Sequence, residues 1–168
     1  MTSDSLFGQN WIAAEYAIRR PPVHGQIFDH VGAELASPRS VDLALDLGCG
    51  AGASTSALVR SGLGRRVLGV DPSSAMIMEA KAQADGACFL VGTAEALPIR
   101  SGEVGLITAA GSLNFANAPD FFAEAQRVLS VDGVLVVYDF ATGCRSAACP
   151  ELASWYTKWL RRGACQPL

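Results

Sequence analysis

Five short apolar segments alternate with helical patterns along this chain, and no other feature restricts its fold as strongly. Near-continuous apolar character is typical of strands buried on both faces of a parallel sheet. The predicted strands are residues 41–47, 66–70, 87–91, 104–109 and 134–138, and the predicted helices are residues 11–18, 25–36, 54–60, 73–84, 119–129 (closed by Asp132-Gly133) and 151–162. The alternation predicts an α/β fold with a doubly wound (Rossmann-like), mostly parallel sheet of five evident strands.

Length and composition predict one soluble domain. The chain has 168 residues, of which half are apolar and 17% are charged, and its net charge is −3. We expect a single domain over 1–168, with an N-terminal helical segment at 1–38, a core at 39–140 and a loop and helix at 141–168. The negative charge speaks against nucleic acid as a partner. No apolar run reaches the ~18 residues that span a bilayer, and no signal peptide is evident, so we expect a cytoplasmic protein without a membrane partner.

The five cysteines do not predict a metal site. Cys144 and Cys149 could join Cys165, but their spacing matches no standard zinc pattern and both histidines lie far upstream. We therefore expect reduced thiols and no metal.

A glycine-rich turn follows the first predicted strand and leads into a helix. The glycines of this turn, Gly48, Gly50 and Gly52, allow the backbone to approach a ligand at the positive end of the helix. Ligands of open α/β sheets bind at the carboxyl ends of the strands, where this turn lies. Because Gly48, Gly50 and Ala53 also satisfy the loose dinucleotide pattern G-x-G-x-x-A, the turn alone leaves both NAD and a methyl donor open.

Asp46 lies at the end of an otherwise apolar strand, two residues before the first glycine. A carboxylate at this position is costly to desolvate unless a cation or several donors meet it. The pyrophosphate of NAD would add negative charge, whereas S-adenosylmethionine brings an ammonium and a sulfonium. The alternative is that Asp46 caps the following helix. The sign of the charge favours the methyl donor.

A second carboxylate, Asp71, closes the second predicted strand. It follows Gly50 by 21 residues, close to the ~20-residue offset at which an acidic residue binds a ribose hydroxyl pair. A carboxylate accepts hydrogen bonds from both hydroxyls at once. Ser73, two residues later, is expected to cap the next helix. Asp71 therefore predicts a ribose contact, which NAD and S-adenosylmethionine share.

Several segments, in this order, resemble motifs of the class I S-adenosylmethionine-dependent methyltransferases, specifically their small-molecule branch. Tyr16-Ala17 and Arg20-Pro21 are similar to an N-terminal segment that folds over the cofactor in one branch. The four core segments are LDLGCGAG (45–52), DPSSAM (71–76), GTAEALPI (92–99) and RVLSVDGVL (127–135). The resemblance extends from about Tyr16 to Phe140.

The resemblance implies a set of contacts with S-adenosylmethionine. Asp46 would meet the amino group of the donor or adjoining waters, Asp71 would hold the ribose, and the glycine turn would hold the methionine part. Thr93 stands where many relatives have Asp, and Met76 either packs against the adenine or fills the core. The implied cofactor-binding residues are Asp46, Gly48, Cys49, Gly50, Gly52, Asp71, Pro72, Met76, Thr93, Ala94 and Ala110.

The resemblance implies methyl transfer to a small-molecule acceptor by in-line displacement, with residues 112–115 facing that acceptor. Candidates for a general base, if one is needed, are His24, Tyr16 and Asn114 (through a water), although a histidine on a surface loop is the simpler interpretation of His24. One alternative is an NAD-dependent oxidoreductase, against which Asp46 and the lack of a Tyr-x-x-x-Lys pair both speak. Another is a cofactor-binding module without turnover.

The C-terminal part departs from the family pattern. Relatives complete the sheet with an antiparallel pair of strands after the fifth, whereas the residues after Phe140 indicate a loop and the helix at 151–162. The usual last two strands are therefore expected to be missing, which leaves strand 134–138 as an uncovered edge. Either the chain is truncated, or this edge pairs with another protomer in a homodimer.

Overall fold

The computed structural model describes residues 23–34 and 40–139, and five strands alternate with helices in this part of the chain. The predicted helices at 11–18 and 151–162 lie outside the described residues. In chain order the elements are α1 (His24–Glu34), β1 (Val41–Leu47), α2 (Ala53–Ser61), β2 (Gly64–Asp71), α3 (Ser74–Gln83), β3 (Cys88–Val91), β4 (Val104–Ala110), a 3₁₀ turn (Leu113–Phe115), α4 (Ala118–Val128) and β5 (Leu129–Tyr138).

The five strands form one parallel sheet in the order β3-β2-β1-β4-β5. The chain first builds outward from β1 to β2 and β3, and then returns to place β4 on the other side of β1. This reversal opens a crevice at the carboxyl ends of β1 and β4, which is the usual ligand position in such sheets. The predicted doubly wound sheet is therefore confirmed.

Alternate residues of the strands supply two cores, one on each face of the sheet. Leu45 and Leu47 of β1 pack with Phe121 of α4 on one face. Ala44 of β1 packs with Phe28 of α1 on the other face, which α2 also covers. Asp46 shares the face of Ala44, so the sheet directs its side chain towards α2.

The junction of α4 and β5 differs from the prediction. The helix predicted at 119–129 is present as α4, but Asp132-Gly133 does not close it: α4 ends at Val128, and β5 begins at Leu129 instead of at the predicted residue 134. Val104 of β4 pairs with Leu129 and Leu106 pairs with Val134, so extra residues of β5 bulge out between the two pairs. The Asp-Gly pair belongs to this bulge, because bulges, like helix ends, favour glycine.

No helix of the described part is long and apolar enough to cross a bilayer.

Candidate functional site

A cavity lies at the carboxyl ends of the strands, where the order of the sheet reverses. Loops after β1, β2, β3 and β4 all contribute to its wall, together with α4. The lining residues are Gly48, Gly50, Val70, Asp71, Pro72, Ser73, Met76, Gly92, Thr93, Ala94, Glu95, Ala110, Gly111, Ser112, Phe115, Ala116 and Phe121.

The glycine turn brings the loops after β1 and β4 into direct contact. Gly48 has a φ of +66°, and a Cβ placed on it would lie 2.2 Å from the Cβ of Ser112. Ser112 also donates a hydrogen bond from its Oγ to the carbonyl of Leu47, at 2.9 Å. The turn leads directly into α2, whose N-terminal residue is Ala53. Backbone without side chains thus forms the floor of the cavity beside the positive end of a helix.

Asp71 is held in the cavity wall by two backbone amides. Its Oδ2 accepts a hydrogen bond from the amide of Gly50 and its Oδ1 accepts one from the amide of Ser73, each at 2.9 Å. Burial raises the pKa of this carboxyl, and the two amides partly oppose that rise. A carboxylate has about four acceptor positions, so both oxygens can accept a further hydrogen bond. Ser73 also caps α3, since its Oγ accepts from the amide of Met76, which confirms the predicted cap.

Asp46 is fully buried and does not line the cavity. Its Oδ2 accepts hydrogen bonds from the hydroxyls of Ser54 (2.7 Å) and Thr55 (2.6 Å), and its Oδ1 accepts one from Thr108 (2.9 Å). Burial raises the pKa of Asp46, and the three hydroxyls oppose this.

The expected cation that would compensate Asp46 is therefore replaced by hydroxyl donors from α2 and β4. The geometry does not support a direct contact between this carboxylate and a bound ligand. Asp46 joins β1 to the first turn of α2, as the helix-capping alternative implies, although Gly52 occupies the N-cap position itself.

Cys49 and Gly52 also lie outside the cavity lining. The Cys49 thiol is buried, which raises its pKa, and a Cβ on Gly52 would lie 3.1 Å from Ala80 of α3. These two residues shape the turn by packing behind it. The other predicted cofactor-binding residues do line the cavity: Gly48, Gly50, Asp71, Pro72, Met76, Thr93, Ala94 and Ala110.

Sequence reasoning missed Glu95 and Phe121 as lining residues. Glu95 follows Ala94 directly, so its position in a candidate motif could have identified it. Phe121 belongs to the apolar stripe of α4, and only the packing of α4 on the sheet brings it to the cavity.

The three candidate bases have different positions. His24 is buried, and its Nδ1 lies 2.8 Å from the Oη of Tyr138 at the end of β5, so the interpretation as a surface histidine is wrong. Asn114 lies in the 3₁₀ turn between two lining residues, Ser112 and Phe115. Tyr16 lies outside the described residues. Within residues 23–34 and 40–139, no group of three or more His, Cys, Asp or Glu side chains could hold a metal ion.

Comparison with known proteins assigns this arrangement to a family. The family model described as "Methyltransferase domain" matches residues 45–137. A candidate methyltransferase of Dictyostelium discoideum is 30% identical over 137 residues, which are 82% of this chain and 49% of that protein.

Solved structures share the fold. A candidate S-adenosyl-L-methionine-dependent methyltransferase from Methanococcus maripaludis is 21% identical with a TM-score of 0.64, over 84% of this chain and 64% of that one. Geranyl diphosphate C-methyltransferase from Streptomyces coelicolor A3(2), crystallised with Mg²⁺, geranyl-S-thiolodiphosphate and S-adenosyl-L-homocysteine, is 24% identical with a TM-score of 0.60, over 68% of this chain and 43% of that one. The chain thus spans less than two thirds of the length of these relatives.

Proposed function

This chain belongs to the class I S-adenosylmethionine-dependent methyltransferase family, and we propose on that premise that it transfers a methyl group to a small-molecule acceptor. The resemblance of its motifs is confirmed by the family match over residues 45–137. The cofactor of the domain is S-adenosylmethionine, which speaks against the alternative of an NAD-dependent oxidoreductase. One observation carries the proposal: Asp71 presents a carboxylate, fixed by two amides, in a cavity with a glycine floor.

The lining residues fit the parts of this cofactor. Asp71 has the acceptor capacity for both ribose hydroxyls. The floor at Gly48 and Gly50 admits the methionine part, because a side chain at Gly48 would collide with Ser112. All four of Met76, Phe121, Thr93 and Ala94 line the cavity, and we assign the apolar surface of Met76 and Phe121 to the adenine and Thr93 and Ala94 to its edge. Asp46, Cys49 and Gly52 act from behind this wall, as residues that position the turn.

The chemistry assigns a limited task to the protein. When bound, S-adenosylmethionine supplies a methyl group that its sulfonium already activates. The chain aligns the two reactants and excludes water, which together lower the barrier without a strong base. For an acceptor that must lose a proton, His24, Tyr16 and Asn114 (through a water) are the proposed candidates, and Asn114 lies between two cavity-lining residues, Ser112 and Phe115.

The second candidate function is a cofactor-binding module without turnover. One observation favours it: of the three candidate bases, the two that lie in the described residues, His24 and Asn114, are not among the residues that line the cavity. Tight binding of S-adenosylmethionine without methyl transfer to any component of a metabolite extract would support this alternative over an enzyme.

Calorimetric titration with S-adenosylhomocysteine tests the proposed site. We expect Asp71→Asn to weaken binding by about tenfold or more, since a hydrogen bond to a charged group contributes roughly 1.5–3 kcal/mol. Asp42→Asn is the matched control, because Asp42 is an exposed carboxylate at the amino end of β1. Asp46→Asn should weaken binding less than Asp71→Asn does. Binding of NADH alone, or equal affinities of the Asp71 and Asp42 variants, would contradict the assignment.

We also propose that β5 pairs with a second copy of the chain. Within the described residues β5 has one neighbour, β4, and Val137 on this strand is 43% exposed. A strand edge that no other strand of the described part covers can template association. Light scattering at several concentrations should show a dimer that Val137→Lys weakens, and a monomer at every concentration would contradict it.

A further inference from the structure

We propose that Glu124 and Arg127 are positioning residues that hold the segment 92–95 against α4 and thereby set the affinity for the adenosine end of the cofactor. The inference rests on the proposed function and extends it to two side chains that do not line the cavity. It follows from a cluster of hydrogen bonds between α4 and the loop that joins β3 to β4.

Glu124 binds the loop as a hydrogen-bond acceptor. Its Oε1 accepts a hydrogen bond of 2.6 Å from the amide of Leu97, although the two residues are 27 positions apart in the chain. The side chain of Glu124 is only 13% exposed, so this bond is partly shielded from water. Leu97 is itself buried in the core beneath α4. The carboxylate therefore fixes the backbone of the loop where it enters the core.

Arg127 binds the same stretch from the donor side. Its guanidinium donates to the carbonyl of Leu97 at 3.0 Å and to the carbonyl of Ile99 at 2.9 Å. It also donates twice to the Glu124 carboxylate, each time at 2.7 Å. The planar fork of arginine satisfies these directions together, which the single ammonium of lysine does not. The two side chains thus form one unit that holds both the amide and the carbonyl of Leu97.

A third contact extends this unit to the cavity. Asn117, the residue before α4, donates its amide to Oε1 of Glu95 at 2.9 Å, and Glu95 lines the cavity. The loop is therefore attached to α4 at both ends of residues 95–99. These bonds oppose a shift of its cavity-lining part, 92–95, away from α4.

Helix α4 also contributes to the cavity wall that faces the segment 92–95. Phe121 lines the cavity and lies three residues before Glu124, on the same side of α4. The amide of Gly92 donates to the carbonyl of Asp71, so the segment 92–95 begins beside the proposed ribose contact. The base attached to that ribose then lies between the segment and α4. Glu124 and Arg127 therefore fix the distance between the segment 92–95 and α4.

Titration of the purified 168-residue chain with S-adenosylhomocysteine and with adenosine tests the inference. We expect Arg127→Gln and Glu124→Ala each to lower the affinity for both ligands by about tenfold. The factor should be the same for the two ligands, because the lost contacts lie at the adenosine end that they share. Arg66→Gln is the matched control. It breaks an arginine–aspartate pair of the same length, 2.7 Å, between exposed side chains at the amino ends of β1 and β2. The affinity of Arg66→Gln for both ligands should stay within about twofold of that of the parent chain.

Thermal melting separates positioning from stability. Affinities are compared at a temperature well below the melting temperature of every variant, so that a loss of affinity reports on folded protein. Where Arg127→Gln does not fold, Arg127→Lys replaces it, and we expect about a threefold loss because lysine keeps the charge but not the fork.

Each result decides the inference in one direction. Equal loss for both ligands in a folded variant supports it. A lower melting temperature with unchanged affinity, or a loss for S-adenosylhomocysteine but not for adenosine, overturns it. Failure of the parent chain to bind S-adenosylhomocysteine would instead overturn the proposed function.

Discussion

Replacement of Gly48 by alanine tests whether the loops after β1 and β4 meet as the structure places them. Gly48 and Gly62 have almost the same φ, +66° and +67°, a positive value that favours glycine at both positions. A Cβ on Gly48 would lie 2.2 Å from the Cβ and 2.8 Å from the Oγ of Ser112, whereas a Cβ on Gly62 has no atom within 4 Å. The two alanine variants therefore share the backbone strain and differ in the collision.

The magnitudes follow from these contacts. An alanine in the left-handed region costs roughly 1–2 kcal/mol, partly offset by the lower entropy of the unfolded chain, about 0.4–1 kcal/mol. Gly62→Ala should thus lower the free energy of unfolding by about 1 kcal/mol. Gly48→Ala adds overpacking, typically about 1–3 kcal/mol, since the neighbouring Cβ has no freedom to rotate away.

Denaturant unfolding and titration with S-adenosylhomocysteine give the two readouts. We expect Gly48→Ala to be the less stable variant and to bind the ligand about tenfold more weakly or worse, because it displaces Ser112 from the cavity wall. Gly62→Ala should bind like the parent chain. Equal stabilities within about 0.5 kcal/mol, together with equal affinities, would refute the contact between the two loops.

Two further predictions concern the buried carboxylates. Thr108→Val keeps the shape of the side chain but removes one hydroxyl from Asp46, and should cost about 1–3 kcal/mol at neutral pH. Because burial holds the folded-state pKa of Asp46 above its ordinary value of 3.8, the fold loses stability as the pH rises from 3.8 to the folded-state pKa, and no more above it. The loss of unfolding free energy in Thr108→Val, relative to the parent chain, should therefore shrink as the pH falls through the folded-state pKa of Asp46. A loss that stays the same at every pH in denaturation experiments would contradict this. Binding of S-adenosylhomocysteine should also weaken as the pH falls, because burial raises the pKa of Asp71 and ribose hydroxyls bind the ionised form of this carboxyl. Calorimetric titrations of Asp71→Asn, which has no such group, should lack this pH dependence, and an identical dependence in both proteins would assign it to another group.

Local patterns predicted the sheet and the glycine turn well because the signals for both lie within a few residues. The strand at 41–47 has the predicted bounds, since an apolar run that ends in glycine fixes both. Asp71 followed from its distance to Gly50 along the chain. These features depend on backbone geometry and chain order, which a single sequence carries directly.

The features that were missed depend on residues distant in sequence. The partners of Asp46 come from α2 and β4, and Thr108 is 62 positions away. His24 meets Tyr138 across 114 positions. A polar residue in an apolar strand signals that a partner exists, but tertiary packing decides whether this partner is a ligand or another side chain.

The two buried aspartates illustrate how position along a strand separates a structural from a binding carboxylate. Asp46 precedes the end of β1 by one residue, so the alternation of side chains directs it into the interface with α2, where hydroxyls occupy its oxygens. Asp71 is the last residue of β2, and within the described part of the chain its oxygens accept from two backbone amides of the loops that form the rim of the cavity. Backbone amides hold a carboxylate from one side and leave its outer acceptor positions directed at a ligand. For this reason we propose the carboxylate that ends β2, Asp71, as the ribose contact, and not Asp46, which lies one residue before the end of β1.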